Sequence, residues 1–110
     1  MPGRKARLSP AAAAYFLDAI AYIAERNPTA AEALVKRMRA LRERLIDFPN
    51  IGVRGQIPGT RRVVLNPFIV TIRMGKNGVE MVAIRHAKQR DAYAPDELLA
   101  GEGPEDDGEF

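Results

Sequence analysis

Apolar and polar residues follow two rhythms along this chain, and each predicts its own elements. From Ala11 to Arg26, Phe16, Ile20 and Ile23, joined by Leu17 and Ala24, fall at helical spacings on one face, which predicts an amphipathic helix. Ser9-Pro10 opens it, since Ser caps free N–H groups and Pro at the first position gives up an N–H that has no partner anyway. Asn27-Pro28 stops this helix and starts another, because the residue before a proline avoids the α region. Either Asn27 caps the second helix or Thr29 does so in a capping box with Glu32. In that helix Ala31, Leu34, Met38, Leu41, Leu45 and Phe48 are spaced 3, 4, 3, 4 and 3 apart. Burying the five large side chains of this stripe contributes about 1.5–3 kcal/mol each before chain entropy is counted. Lys36, Arg37, Arg39, Arg42, Glu43, Arg44 and Asp47 lie on the other sides, and Pro49 ends the run.

Past a loop of two Pro and three Gly, residues 49–59, the period drops to two. Residues 62–66 form a short β-branched run. Phe68, Val70, Ile72 and Met74 then oppose Ile69, Thr71 and Arg73. Asn77-Gly78 signals a tight hairpin turn, with residues 79–85 returning. Residues 4–8 alternate weakly and suit an edge strand, and residues 87–99 suit a short last strand or turn ending near Tyr93. The expected fold is α+β, with an N-terminal edge strand and a helical hairpin packed on a three- to four-stranded antiparallel sheet, since that sheet offers the apolar surface the stripe needs.

Composition narrows the chemistry. A length of 110 residues fits one domain. The absence of Cys excludes disulfides, thiol catalysis and thiolate metal sites, and a single His leaves no His-rich metal cluster. No cofactor is expected. No apolar run approaches the ~20 residues of a membrane span, and no signal-peptide core is present, so a cytoplasmic protein without membrane contact is expected.

The net charge of +3 hides a division. All 17 bases and seven of the 14 acids precede Asp96, giving +10; residues 96–110 hold the other seven acids and no base, giving −7. We therefore expect a domain at 1–95 and an acidic, disordered tail at 96–110. A basic body favours an anionic partner.

Several short stretches occur in a fixed order: Arg7-Leu8-Ser9-Pro10-Ala11-Ala12, Tyr22-Ile23-Ala24-Glu25-Arg26-Asn27-Pro28, Leu45-Ile46-Asp47-Phe48-Pro49, Gly52-Val53-Arg54, Ile57-Pro58-Gly59-Thr60-Arg61 and Ile84-Arg85-His86-Ala87. Together, over residues 6–93, they resemble the ParE branch of the RelE/ParE toxin superfamily. The resemblance implies a small cytoplasmic bacterial toxin of a type II toxin–antitoxin pair that inhibits DNA gyrase until a cognate ParD-like antitoxin neutralises it. Operator DNA is then met only through the antitoxin. The RelE branch instead cleaves mRNA in the ribosomal A site, which is the alternative function.

Metal-free RNA cleavage needs a base, an acid and cationic donors for the phosphorane charge. RelE-like sequences begin the strand matching residues 67–74 with a Tyr-Arg pair whose Arg is catalytic; here those positions are Phe68 and Ile69. Lys88 or Arg90 matches a family basic position, and Tyr93 a C-terminal tyrosine. His86 is either an acid–base group or a hydrogen-bonded strand end. The catalytic candidates are thus His86, Lys88, Arg90 and Tyr93, an incomplete set that leans away from an enzyme. Arg73, Arg85 and Arg90 are the target-binding candidates, if Arg73 and Arg85 meet across the hairpin. Ala13, Leu17 and Ile20, with Arg37 and Arg42, are the antitoxin-binding candidates. Tyr15 and Tyr22 share one side of the first helix and read as packing and rim residues.

Overall fold

The computed structural model describes residues 5–101. Strand β1 (Lys5–Leu8) leads into helix α1 (Pro10–Arg26) and helix α2 (Pro28–Asp47). Strands β2 (Val53–Arg54), β3 (Thr60–Leu65), β4 (Phe68–Gly75) and β5 (Gly78–His86) follow, and helix α3 (Asp96–Gly101) closes the described chain. The sheet has five strands in the order β1-β5-β4-β3-β2. It differs from the expected antiparallel meander in two ways. The loop after α2 contributes the two-residue strand β2, and β1 pairs with β5 in parallel. A parallel pair needs a crossover connection; here the helical hairpin carries the chain to β2 at the far edge, and β3 and β4 lead back to β5 beside β1.

The helix signals act as their chemistry requires. Ser9 Oγ accepts from Ala12 N at 3.1 Å. Asn27 closes α1 by donating its N–H to the Ile23 carbonyl, and its side chain opens α2 by accepting from Ala30 N at 3.0 Å. Thr29 is therefore not the cap. Ala31, Leu34, Met38, Leu41 and Leu45 are buried as the stripe predicts, but Phe48 is 61 % exposed. It is the C-cap of α2, at φ −134° and ψ 73°, so its side chain leaves the helical ridge. Leu17, at 65 % exposure, leaves the buried face of α1 and is open, as an antitoxin anchor must be. It lies about 100° around α1 from the buried Phe16, past the sector that faces the sheet.

The core lies between the helical hairpin and one sheet face, with Phe16, Met38, Leu45, Val70, Ile72, Met81 and Ile84 among its residues. A bulge shapes that face. Thr71 pairs with Ala83 but Ile72 with Met81, so Val82 is an extra residue. The shifted parity lets Met81 and Ile84, three apart, both reach the core.

Ile69 and Thr71, expected on an open face, are buried as well. The segment after β5 folds over that outward face, placing Tyr93 beside Arg62 and burying Ala92 and Pro95. It forms turns and then α3, not a last strand. The β4–β5 turn has Lys76-Asn77 at its centre, since Gly75 pairs with Gly78. Gly78 sits at φ +134°, where a Cβ would fall 2.1 Å from the Lys5 carbonyl oxygen, so glycine lets β1 lie alongside. Because α3 begins at Asp96, ordered structure continues past the boundary expected at residue 95; residues 102–110 of the acidic tail lie outside the described residues. No described helix is long and apolar enough to cross a membrane.

Candidate functional site

The sole histidine ends β5, over Phe68 at the start of β4. Its ring meets Phe68 edge-on at 5.7 Å, and Tyr15 of α1 meets the same phenyl ring at 6.2 Å. The His86 N–H donates to both Tyr15 Oη and Gln89 Oε1 at 2.9 Å, and Tyr15 Oη donates to Gln89 Oε1. Nδ1 of His86 accepts from Lys88 N at 3.1 Å. This network folds the chain back after β5. One of the two ring nitrogens, Nδ1, is thus occupied by a local turn.

Arg85 faces the other way and is held by carboxylates. Its Nε donates to Asp91 Oδ2 at 3.3 Å, its Nη1 to the Ile84 carbonyl at 2.9 Å, and its Nη2 to Glu97. The side chains of Arg85 and Asp91 are only 14 % and 13 % exposed. Burial pulls the Arg85 pKa down, but the hydrogen bond and charge of Glu97, followed by Asp91, outweigh it and raise the pKa. Asp91 is held below the usual carboxylate range, first by the N–H of Asp96, which donates to it at 3.0 Å, and then, against a smaller desolvation effect, by Arg85. Arg85 thus ties α3 and the preceding turn to the sheet.

The expected Arg73–Arg85–Arg90 cluster is not assembled. Arg73 pairs in register with Glu80 and Thr60, and Arg85 with Ile69. Arg90 is 85 % exposed and forms an ion pair with Asp96 at 3.3 Å. Of the catalytic candidates, His86 and Lys88 share one local turn after β5. Lys88 is exposed, and Tyr93 lies under the Arg62 guanidinium at 5.1 Å. Ile69, where the RelE-like arginine belongs, is buried. A cleft of about 550 Å3 lies at the opposite end of β4, with Arg54, Gln56, Arg61, Ile72 and Met74 among its lining residues; none of the four catalytic candidates lines it. No group of metal-ligating side chains occurs among the described residues.

Two apolar surfaces stand out among the described residues. On α1, Ala13, Leu17 and Ile20 follow one another at spacings of four and three, so they share a flank; Ala13 and Ile20 are half-buried beside the exposed Leu17. Arg37 is exposed on α2. Arg42, grouped with it in the sequence, donates to the Ala6 carbonyl at 3.0 Å and holds β1 to the helix.

The second surface was missed in the sequence. Val53 pairs with Arg62, and Val64 lies two residues further along β3, so all three share the outward sheet face with Tyr93. Val53, Val64 and Tyr93 are 52, 66 and 40 % exposed. The available signal was the valine pair Val63-Val64, of which only one can face the core.

The fold is that of a known structure. The chromosomal ParDE TA system from P. aeruginosa contains a chain that superimposes with a TM-score of 0.67 over 76 % of this chain and 95 % of that one, at 19 % identity. No curated protein matches the sequence. The profile described as the ParE toxin of the type II toxin–antitoxin system parDE matches residues 6–91. That span runs from β1 through the Arg85–Asp91 pair, and the chain therefore belongs to the ParE toxin family of type II toxin–antitoxin systems.

Proposed function

We propose that this toxin acts in the cytoplasm by binding DNA gyrase and blocking its turnover, without chemistry of its own, until a cognate ParD-like antitoxin covers it. The observation that carries the reading is the missing arginine of the RelE-like catalytic set. Cleavage needs acid, base and cationic donors converging on one phosphate. Here Ile69 replaces the arginine and is buried, Arg85 is held by two carboxylates, and His86 supports a turn. The antitoxin belongs on the α1 flank of Ala13, Leu17 and Ile20, where Leu17 offers an exposed apolar anchor.

Purified protein should be added to gyrase with relaxed plasmid, and separately to ribosomes programmed with mRNA. Blocked supercoiling with intact message is expected. Cleaved message with unaffected gyrase would overturn the reading in favour of the RelE-like one.

A further inference from the structure

The outward sheet face carries two exposed valines beside an arginine stacked on a tyrosine. Across the strands, Val53 stands opposite Arg62, with Val64 next along β3. Arg62 lies over Tyr93 at 5.1 Å, so the C-terminal segment supplies the ring that orients the guanidinium. One row away, the register runs Arg7, Glu80, Arg73, Thr60. The nearby carboxylates Asp91 and Glu97 are already bound to Arg85, so the Arg62 guanidinium is left to receive an incoming carboxylate. A stacked Arg–Tyr pair belongs to the residue types enriched in protein-binding hot spots, and the exposed valines beside it add apolar contact area. Two exposed valines offer nothing to a phosphate backbone, whereas they seat an apolar protein side chain. The α1 flank bearing Leu17 lies on the other layer of the molecule, so the two surfaces can serve two partners.

We propose that the patch of Val53, Arg62, Val64 and Tyr93 grips an acidic face of the target protein, seating an apolar side chain between the valines and a carboxylate on Arg62. The proposal rests on the gyrase reading above and adds where the target binds.

The test compares full-length wild type with Val64→Glu, Tyr93→Ala and the control Ala33→Glu, which places the same charge on the exposed outer side of α2. Inhibition of supercoiling by gyrase holoenzyme is titrated, and affinity for the ParD-like antitoxin is measured in parallel. Val64→Glu should raise the half-inhibitory concentration at least tenfold, with Ala33→Glu and both antitoxin affinities within about twofold of wild type. Tyr93 is in no strand, so its variant tests the patch even if Val64→Glu misfolds. Inhibition by both patch variants at the wild-type level overturns the patch and leaves the reading standing. Loss of antitoxin affinity in both, with inhibition retained, assigns the patch to the antitoxin and overturns the proposal. A wild type that does not inhibit gyrase removes the reading and the patch together.

Discussion

Arg85 donates at once to Asp91, Glu97 and the Ile84 carbonyl, and removing it leaves two carboxylates without their counter-charge. Arg85→Met should therefore cost about 2–3 kcal/mol in denaturant unfolding, with α3 losing amide protection first. The pH response follows from Asp91. Its folded pKa lies below its ordinary value of 3.8, so its stabilisation is complete above that value and is lost as pH falls through the folded pKa. Protection of α3 amides should be flat from neutral pH to about pH 5 and fall below pH 4. Asp91→Asn should weaken protection at neutral pH and remove that group's acid step; an unchanged acid profile would show that Asp91 is not the switch. None of this was legible residue by residue. Arg85 looked like a surface cation because its partners, six and twelve positions away, fall in a stretch with no period. The burial of Leu34, Met38, Leu41 and Leu45 was legible, because helical spacing fixes the face of each side chain without knowledge of the partner.

Elements were legible where local chemistry is decisive and obscure where tertiary contact decides. Ser9, Asn27 and the two prolines that follow them set both helix starts through groups within three residues. Strand β2 has only two residues, and its partner in β3 stabilises it. The bulge at Val82 is equally invisible to a period-two pattern, because it exists to reconcile two strands. The close approach of β1 to β5 requires glycine at position 78. Gly78→Ala combines a backbone at φ +134° with a Cβ 2.1 Å from the Lys5 carbonyl oxygen, and β1 must move. The expected cost is on the order of 3 kcal/mol, with exchange protection lost in β1 while the β4–β5 hairpin keeps its own. Arg42, which donates to Ala6, gives a milder comparison. Arg42→Ala should loosen the same strand by about 1 kcal/mol. If Gly78→Ala unfolds β4 and β5 as readily as β1, the edge strand is part of one cooperative unit.

At the scale of the whole molecule, charge is distributed by position in the chain more than by layer. The first acids of the acidic end are structural: Glu97 is bound to Arg85 and Asp96 to Arg90. Past the described residues, the sequence holds five further acids: Glu102, Glu105, Asp106, Asp107 and Glu109. They lower the net charge from +8 to the observed +3, and a +8 toxin would attract an acidic partner more strongly at long range. Replacing all five with their amides keeps size and polarity and changes only the field. The association rate with an acidic antitoxin should rise several-fold at about 20 mM salt, where the Debye length exceeds 20 Å, and converge with wild type near 0.5 M, where it is about 4 Å. Dissociation should change little if the five acids act through the field alone, since steering acts on encounter and contact acts on residence. Stopped-flow traces across that salt range separate the cases. A rate difference that persists at 0.5 M would mean that the acids act by direct contact. Equal rates at every salt concentration would mean that the +10 to −7 division has no bearing on how this toxin meets its partners.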